Sequence, residues 1–326
     1  MFLTIIMYHY IREVDPRYPQ FKGLLPSEFR EQLNYIKKHY EFVTVKDCID
    51  FVYTENTDFP SNAILLTFDD GYIDHFTEVF PLLEENGIQG CFFPPGKVIL
   101  NHEVLTVHKI QFILASLRNI DGLLNDIYCC LDKYRTEYRL ESNEYYFSKL
   151  AVGGMLDPKE IRFVKSLLQV ELEEKLRKLI TDELFRKYVT IDEAAFSREL
   201  YMDIEQLKHM VRNGMYVGSH AYDHNWFNSI PPEKQKKEID LSLDFLKEVG
   251  SSTESWIMCY PHGVYNSSLL NILKDRNCKL AMTVKVDIAV LCKENALTLE
   301  RLDTNDLPKV EGAEPNLWTK KILSLT

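Results

Sequence analysis

Two short segments carry the residue types of a mononuclear metal hydrolase site. Asp69 and Asp70 follow the apolar run 63–68, so two carboxylates lie where a predicted strand meets a turn. His220 and His224 are four residues apart, which on a helical turn places both rings on one side. Two imidazoles and one carboxylate bind a metal and leave positions open, and the other carboxylate is then available to take a proton from water. The pattern indicates hydrolysis.

Each segment alone also fits a structural role, because Asp-Gly pairs form turns and many histidines serve only packing. The context of both segments favours a catalytic role over a structural one. Both follow apolar, strand-like segments, 63–68 and 215–218. The carboxyl ends of parallel strands are where sites gather in barrels and open α/β sheets.

These segments, 67–71 and 219–224, resemble the polysaccharide deacetylase family, whose shared unit is the NodB homology domain of carbohydrate esterase family 4. Further segments resemble other family motifs in the expected order: 5–9, 90–94 and 259–266. The resemblance covers residues 1 to about 103 and about 201 to 308, roughly two thirds of the chain.

The resemblance implies a distorted (β/α) barrel that removes N-acetyl groups from amino sugars with a divalent metal. It gives Asp69 the role of general base and makes Asp70, His220 and His224 the metal ligands. A backbone N–H near Tyr260 would stabilise the oxyanion. The donor set suits zinc, and such sites also accept cobalt, iron, manganese or nickel.

The sequence departs from the family in its proton-transfer residues. The late strand 297–303 lacks the family's Leu-x-His histidine, which leaves His262 and His9 as candidate general acids. Cys259 occupies the place of the family's base-orienting arginine. Arg301 could orient the base instead or bind an anionic substrate group, although a surface turn with internal ion pairs is the simpler interpretation.

Three more residues are candidate substrate contacts: Trp226, Pro261 and Tyr265. Trp226 comes just after the second histidine and could form an apolar wall against a sugar ring, although most such tryptophans belong to the core.

The amino-acid composition agrees with a compact enzyme. The chain has 326 residues, of which 45% are hydrophobic, and a formal charge of -11. That charge argues against nucleic acid or an anionic membrane as the main partner. Seven cysteines with no CxxC spacing indicate reduced thiols and no cysteine-based zinc site.

Alternating patterns predict an α/β fold, and the resemblance implies that residues 1–103 and 201–326 form a discontinuous (β/α) barrel. We expect a strand at 41–45, helices at 27–39 with Ser27 as N-cap, 46–53, 72–86 and 203–213, and a helix that opens at 231–233. Residues 104–200 are predicted to be a mainly helical insertion: a solvated accessory bundle, a cap or a homodimerisation surface. His102 and His108 at its start receive no metal role.

The first eight residues are apolar but lack a basic segment and a cleavage site, so they are interpreted as a buried strand. No apolar run is long enough to span a membrane. Together these observations predict a cytoplasmic protein acting on a nucleotide- or carrier-linked precursor of a surface polysaccharide.

The sequence thus predicts a metal-dependent hydrolase that removes an N-acyl, most simply N-acetyl, group from an amino sugar. Two alternatives stay open: a deformylase or other amide hydrolase acting on a related sugar or cyclic amide, and a catalytically inactive sugar-binding module.

Overall fold

Buried apolar segments form the strands of this α/β protein. The computed structural model describes residues 1–54, 58–153 and 157–324. The strands in these residues are β1 (Phe2–Tyr8), β2 (Glu41–Phe42), β3 (Ala63–Asp69), β4 (Gly90–Phe93), β5 (Tyr216–Val217), β6 (Trp256–Cys259), β7 (Cys278–Met282), β8 (Ala289–Val290) and β9 (Leu302–Asp303). The buried first strand predicted at the N-terminus is confirmed as β1.

Helices connect most of these strands. They are α1 (Pro26–His39), α2 (Val45–Tyr53), α3 (Phe80–Glu85), α4 (Gly96–Asn101), α5 (Thr106–Ser116), α6 (Asp121–Tyr138), α7 (Asn143–Leu150), α8 (Lys159–Ser166), α9 (Glu174–Tyr188), α10 (Glu193–Leu200), α11 (Ile204–Arg212), α12 (Pro232–Val249), α13 (Ser267–Asp275) and α14 (Leu317–Ser324). Within the described residues, none of the helices is both long and apolar enough to cross a membrane.

Parallel pairing arranges the principal strands in a cycle. β1 pairs with β3 and β9, β3 with β4, β4 with β5, and β6 with β7, all in parallel. Two isolated parallel bridges, Ser219 with Met258 and Met282 with Leu299, continue the order from β5 to β6 and from β7 toward β9. The short strand β2 pairs parallel to β3, and β8 pairs antiparallel to β1. Because the cyclic strands are parallel, their carboxyl ends gather at one edge.

The hydrophobic core is built around strands that are covered on both faces. Every residue of β3 is buried, which is typical of a parallel strand between two layers. Alternate residues such as Leu65 pack in one apolar cluster with Ile5, Phe93, Ile257 and Leu280 from other strands. The strands are thereby fixed firmly enough to position the residues that follow their carboxyl ends.

The described chain divides into two compact units. One contains residues 1–13, 23–102 and 198–326, and the other contains 14–22 and 103–197. The insertion was predicted as 104–200, without 14–22. Its role as a cap or a dimerisation surface stays a prediction.

The second unit is helical and has its own core. Tyr18 and Phe196 both meet the ring of Phe112 edge-on. Lys109 is buried and forms ion pairs with Asp182 at 2.6 Å and Glu193 at 2.8 Å. These contacts account for a structural role of the buried lysine.

The start of α1 corrects one prediction. Ser27 is not the N-cap, because Pro26 already occupies the first helical turn and Leu25 is the cap residue. Glu28 accepts the Leu25 N–H at 3.0 Å. Proline favours the first position of a helix because it has no N–H to leave unsatisfied.

One further element boundary was wrong, and one predicted helix contains an irregular turn. The predicted strand 41–45 ends at Phe42, because Thr44 caps α2 and accepts the Asp47 N–H. The predicted helix 72–86 is confirmed as a continuous helical segment at 73–85, in which a π-helical turn, His75–Val79, leads directly into α3. Pro81, in the first turn of α3, cannot donate the hydrogen bond of a regular α-helix, which fits the wider turn before it.

Candidate metal centre

The turn after β3 directs two adjacent aspartates to different partners. Asp69 ends the strand, and Asp70 and Gly71 both have φ of 72°. The Asp70 N–H donates to the Phe93 carbonyl at 3.0 Å. A Cβ on Gly71 would lie 2.6 Å from the Cβ of Pro94, so glycine is required by space as well as by φ.

His220 and His224 lie on an irregular loop after β5, so the predicted helical turn was wrong. Ala221 and His224 have φ of 59° and 52°, in the left-handed region. The imidazole centroids nevertheless lie 4.8 Å apart. His220 Nδ1 donates to the Cys259 carbonyl at 2.8 Å, which leaves Nε2 as the ligand atom.

The three predicted ligands meet at one point. Asp70 Oδ1 lies 3.4 Å from Nε2 of His220 and 3.4 Å from Nε2 of His224. Asp70 and His220 are buried, and His224 is nearly so. Among the described residues, this is the one group of histidine, cysteine and acidic side chains close enough to share a metal ion.

The separations of the Asp70 oxygen from the two imidazole nitrogens fit a divalent metal. Two ligand atoms that are each about 2.1 Å from a zinc ion, at a tetrahedral angle, lie about 3.4 Å apart. That is the separation of the Asp70 oxygen from each imidazole nitrogen. Three protein ligands leave at least one position for water or substrate, as a catalytic zinc site requires.

Asp69 is held by Arg301. The guanidinium forms two hydrogen bonds to the carboxylate, Nη1 to Oδ1 at 3.0 Å and Nη2 to Oδ2 at 2.8 Å. Burial raises the pKa of Asp69, but the positive charge of Arg301, with further contributions from His220 and His9, leaves this pKa below its ordinary value. Asp69 is therefore ionised at neutral pH, as a proton acceptor must be.

Arg301 is buried and makes further contacts besides those to Asp69. Its Nε donates to the Thr283 carbonyl at 2.8 Å, and Nη1 also lies 3.1 Å from the Thr67 hydroxyl. The same Nη1 is 3.1 Å from Sγ of Cys259, the position where the resemblance places arginine. A guanidinium therefore lies beside that position although it comes from the residue that directly precedes β9. The simpler expectation of a surface turn does not describe Arg301.

Tyr260 does not offer the predicted oxyanion donor. Its backbone N–H donates to the Met282 carbonyl at 3.0 Å, because the chain continues the ladder of β6 with β7 at this point. Its hydroxyl donates to the Leu297 carbonyl at 2.8 Å. Both groups of Tyr260 hold the fold together.

His262 and Trp226 form one wall next to the ligands. Their rings are stacked with centroids 3.8 Å apart and planes 8° apart. The His262 ring also meets His224 edge-on at 4.6 Å. The backbone of His262 has φ of 57°, in the left-handed region.

The remaining candidates are placed as follows. The side chain of His9 lies near enough to Asp69 to influence its pKa. Pro261 is buried, and Tyr265 is 38% exposed and stacks on Tyr260 with centroids 5.0 Å apart. His102 ends α4 and His108 is buried in α5, and neither belongs to the ligand group.

A polar face of α12 holds the histidine loop, and the sequence interpretation missed it. Glu238 is buried and accepts the Asp223 N–H at 2.8 Å. Ser242, one turn further on, shares a 2.6 Å hydrogen bond with Ser219, whose Oγ accepts the Ala221 N–H. Polar residues spaced four apart on an otherwise amphipathic helix were the available signal.

Comparison with known sequences points to one family. The model of the polysaccharide deacetylase family matches residues 56–114 and 187–281. The chain is 28% identical over 111 residues to YxkH of Bacillus subtilis (strain 168), whose name includes the words polysaccharide deacetylase. That alignment covers 33% of this chain and 37% of YxkH, so the match spans little more than a third of that relative.

Solved structures support the fold over the whole chain. The Streptococcus pyogenes deacetylase PplD, in complex with acetate, aligns with a TM-score of 0.58 and 17% identity, covering 100% of this chain and 98% of its own. IcaB from Ammonifex degensii aligns with a TM-score of 0.55 and 16% identity, covering 99% and 97%. At these identities the likeness concerns the fold.

Proposed function

We propose that this chain, whose residues 56–114 and 187–281 match the model of the polysaccharide deacetylase family, is a metal-dependent amide hydrolase that removes N-acetyl groups from amino sugars. One observation carries the proposal: a ligand trio and an ionised carboxylate meet at the carboxyl ends of the parallel strands. The trio is Asp70, His220 and His224, and the carboxylate is Asp69 held by Arg301.

The residues divide the chemistry as follows. A divalent metal, which we propose to be zinc, supplies Lewis-acid polarisation of the amide carbonyl and a more acidic water when it is bound by the trio. Asp69 accepts the proton of the attacking water. The two hydrogen bonds from Arg301 fix the orientation of the Asp69 carboxylate. Each carboxylate oxygen retains a further lone pair that can accept the proton.

The departing amine needs a proton, and we propose His262 as its source. His262 contacts the ligand His224, and its stack on Trp226 fixes the orientation of the imidazole. His9 is the second candidate because it lies close to Asp69. The flat Trp226–His262 stack also offers an apolar surface to a sugar ring, with Pro261 and Tyr265 following in the same segment.

The family description favours a sugar polymer as the substrate class over a nucleotide- or carrier-linked precursor. The complex of PplD with acetate agrees with acetyl as the released group in that protein. The precursor substrate, an N-formyl or cyclic amide substrate, the cytoplasmic location and the homodimer stay predictions.

A binding module without turnover is the rival from another class. The Asp69–Arg301 pair favours the enzyme, because a sugar-binding site has no use for a buried ionised base beside a metal trio. Binding alone would be served by the trio and the aromatic wall.

The test measures acetate and formate released from a panel of N-acetylated oligosaccharides and nucleotide-linked N-acyl amino sugars. Zinc- and cobalt-loaded wild type is compared with Asp69→Asn, after metal content has been measured in both. We expect acetate from the oligosaccharides with wild type and none with Asp69→Asn, although that variant retains one metal per chain. Equal turnover by the variant would refute the assignment of the base, and metal-loaded wild type without any turnover would support the binding module.

A further inference from the structure

Tyr72 contacts the proposed metal ligand Asp70 through a different carboxylate oxygen from the one near the histidines. Its hydroxyl donates to Asp70 Oδ2 at 2.9 Å. The other oxygen, Oδ1, is the one that lies 3.4 Å from Nε2 of His220 and of His224. The two oxygens of one carboxylate therefore have separate partners.

The turn described above makes this contact possible. Consecutive left-handed residues, Asp70 and Gly71, reverse the chain so that the side chain two residues later reaches back to the carboxylate. The turn is also tied down beyond the site, since the Met202 N–H donates to the Gly71 carbonyl at 3.0 Å.

Aromatic rings fix the position of the Tyr72 hydroxyl. The Tyr72 side chain is fully buried, and its ring stacks on Tyr10 with centroids 3.9 Å apart. Tyr201 lies roughly parallel on it at 6.1 Å, and the backbones of residues 72 and 201 form a bridge. A hydroxyl that is fixed in this way donates in one direction without further loss of side-chain entropy.

We propose that Tyr72 is a positioning residue that makes Asp70 a one-oxygen metal ligand. With Oδ2 engaged by the hydroxyl, only Oδ1 is directed at the metal. A carboxylate that bound through both oxygens would take up an additional coordination position. Holding it to one oxygen keeps that position open for water and the substrate amide. The inference rests on the metal site of the proposed function and adds a residue that acts on it.

The test compares Tyr72→Phe with Tyr35→Phe as a matched control. Tyr35 is also fully buried and shares a 2.8 Å hydroxyl hydrogen bond with Thr319, so each variant loses one buried, hydrogen-bonded hydroxyl and keeps its ring. Cobalt(II) is titrated into each metal-free protein, and its affinity and d–d absorption spectrum are recorded. Far-UV circular dichroism verifies the fold of each variant.

We expect Tyr72→Phe to bind cobalt about 10- to 100-fold more weakly than wild type. Its d–d bands should also be weaker, because a second Asp70 oxygen raises the coordination number, while Tyr35→Phe behaves as wild type. An affinity within twofold of wild type together with an unchanged spectrum would overturn the inference. Failure of wild type itself to bind one cobalt ion would instead refute the metal site of the proposed function.

Discussion

Arg301 and Asp69 lie 232 residues apart in the chain and form a two-pronged ion pair in which both side chains are buried. Asp69 ends β3, whereas Arg301 directly precedes β9. The guanidinium also contacts Sγ of Cys259, at the position from which the family motif would supply an arginine. A guanidinium thus reaches the carboxylate of Asp69 from the residue before β9 and not from position 259.

Replacing Arg301 should impair the base more than the metal site. We expect Arg301→Lys to lower acetate release about 100-fold, because an ammonium cannot bond both carboxylate oxygens in one plane. Arg301→Ala should cost about 3–5 kcal/mol in the free energy of unfolding, since it leaves a buried charge unpaired. Urea denaturation and steady-state kinetics check both values, and cobalt affinity should change little in Arg301→Lys.

An arginine introduced at position 259 should restore part of the acetate release that Arg301→Ala loses. The double variant Cys259→Arg/Arg301→Ala places a guanidinium at the family position and removes the present one. We expect it to release acetate faster than Arg301→Ala alone. Equal rates in the two would indicate that the direction of approach, and not only the charge, matters for Asp69.

Glu238 should influence metal affinity through the backbone of the loop that carries the two histidines. Glu238→Ala removes the acceptor of the Asp223 N–H and frees the loop that carries His220 and His224. We expect cobalt affinity to fall about 10- to 100-fold. Glu248→Ala is the control on the same helix, because Glu248 is exposed. Isothermal titration of the metal-free proteins measures the cobalt affinity of both variants. Equal affinities would show that Glu238 does not stabilise the histidine loop.

His262→Gln should reduce turnover and leave the metal bound. Glutamine keeps a polar side chain of similar length but cannot supply a proton as imidazolium does. We expect kcat to fall about 100-fold or more and the alkaline limb of the pH–rate profile to disappear. Trp226→Phe, which keeps an aromatic ring against His262, should retain that limb. If His262→Gln retained it too, His9→Gln would be the next variant to assay.

His75 should make the metal-free protein less stable in acid. Burial among aromatic rings lowers the pKa of His75 to about 4, and its Nδ1 has no hydrogen-bond partner in the described part of the chain. The unfolded chain takes up this proton near pH 6.5, whereas the folded chain does so only near pH 4. Stability from this group is therefore complete above pH 6.5 and falls by about 3 kcal/mol on acidification to pH 4.

The measurement is urea denaturation between pH 4 and 8 for wild type and His75→Phe. The difference between the two proteins isolates His75 from the other histidines. We expect the variant's stability to depend less steeply on pH over this range. Parallel curves would mean that His75 titrates alike in the folded and unfolded chains.

The strand ends were predictable because local sequence determines them. The apolar run of β3 stops at Asp69, and Gly71 indicates a turn. The positions of both carboxylates could therefore be predicted from a short stretch of sequence. The histidine loop differs, since nothing in the sequence signals a left-handed Ala221 or His224. Contacts with α12 impose those conformations, and they depend on the completed fold.

Long-range pairs were the harder part of the site. Arg301 was one of two interpretations of a charged segment, and only the cyclic strand order brings it to Asp69. The Tyr260 N–H was assigned from the motif alone, and its engagement in the ladder with Met282 became visible only with the register of β6 on β7. Motifs identify residue types well but do not show which backbone groups the sheet already uses.

The burial of Asp69 beneath a guanidinium from position 301 has a consequence for synthesis on the ribosome. When the first strands have emerged, the chain holds a carboxylate whose counter-charge has not yet been translated, and closing the core around it would carry the cost of an unpaired buried charge. The strand cycle is also incomplete until β9 reaches β1. All residues of the helical unit, 14–22 and 103–197, are translated before β9, whereas the other unit completes its structure only when that last strand arrives.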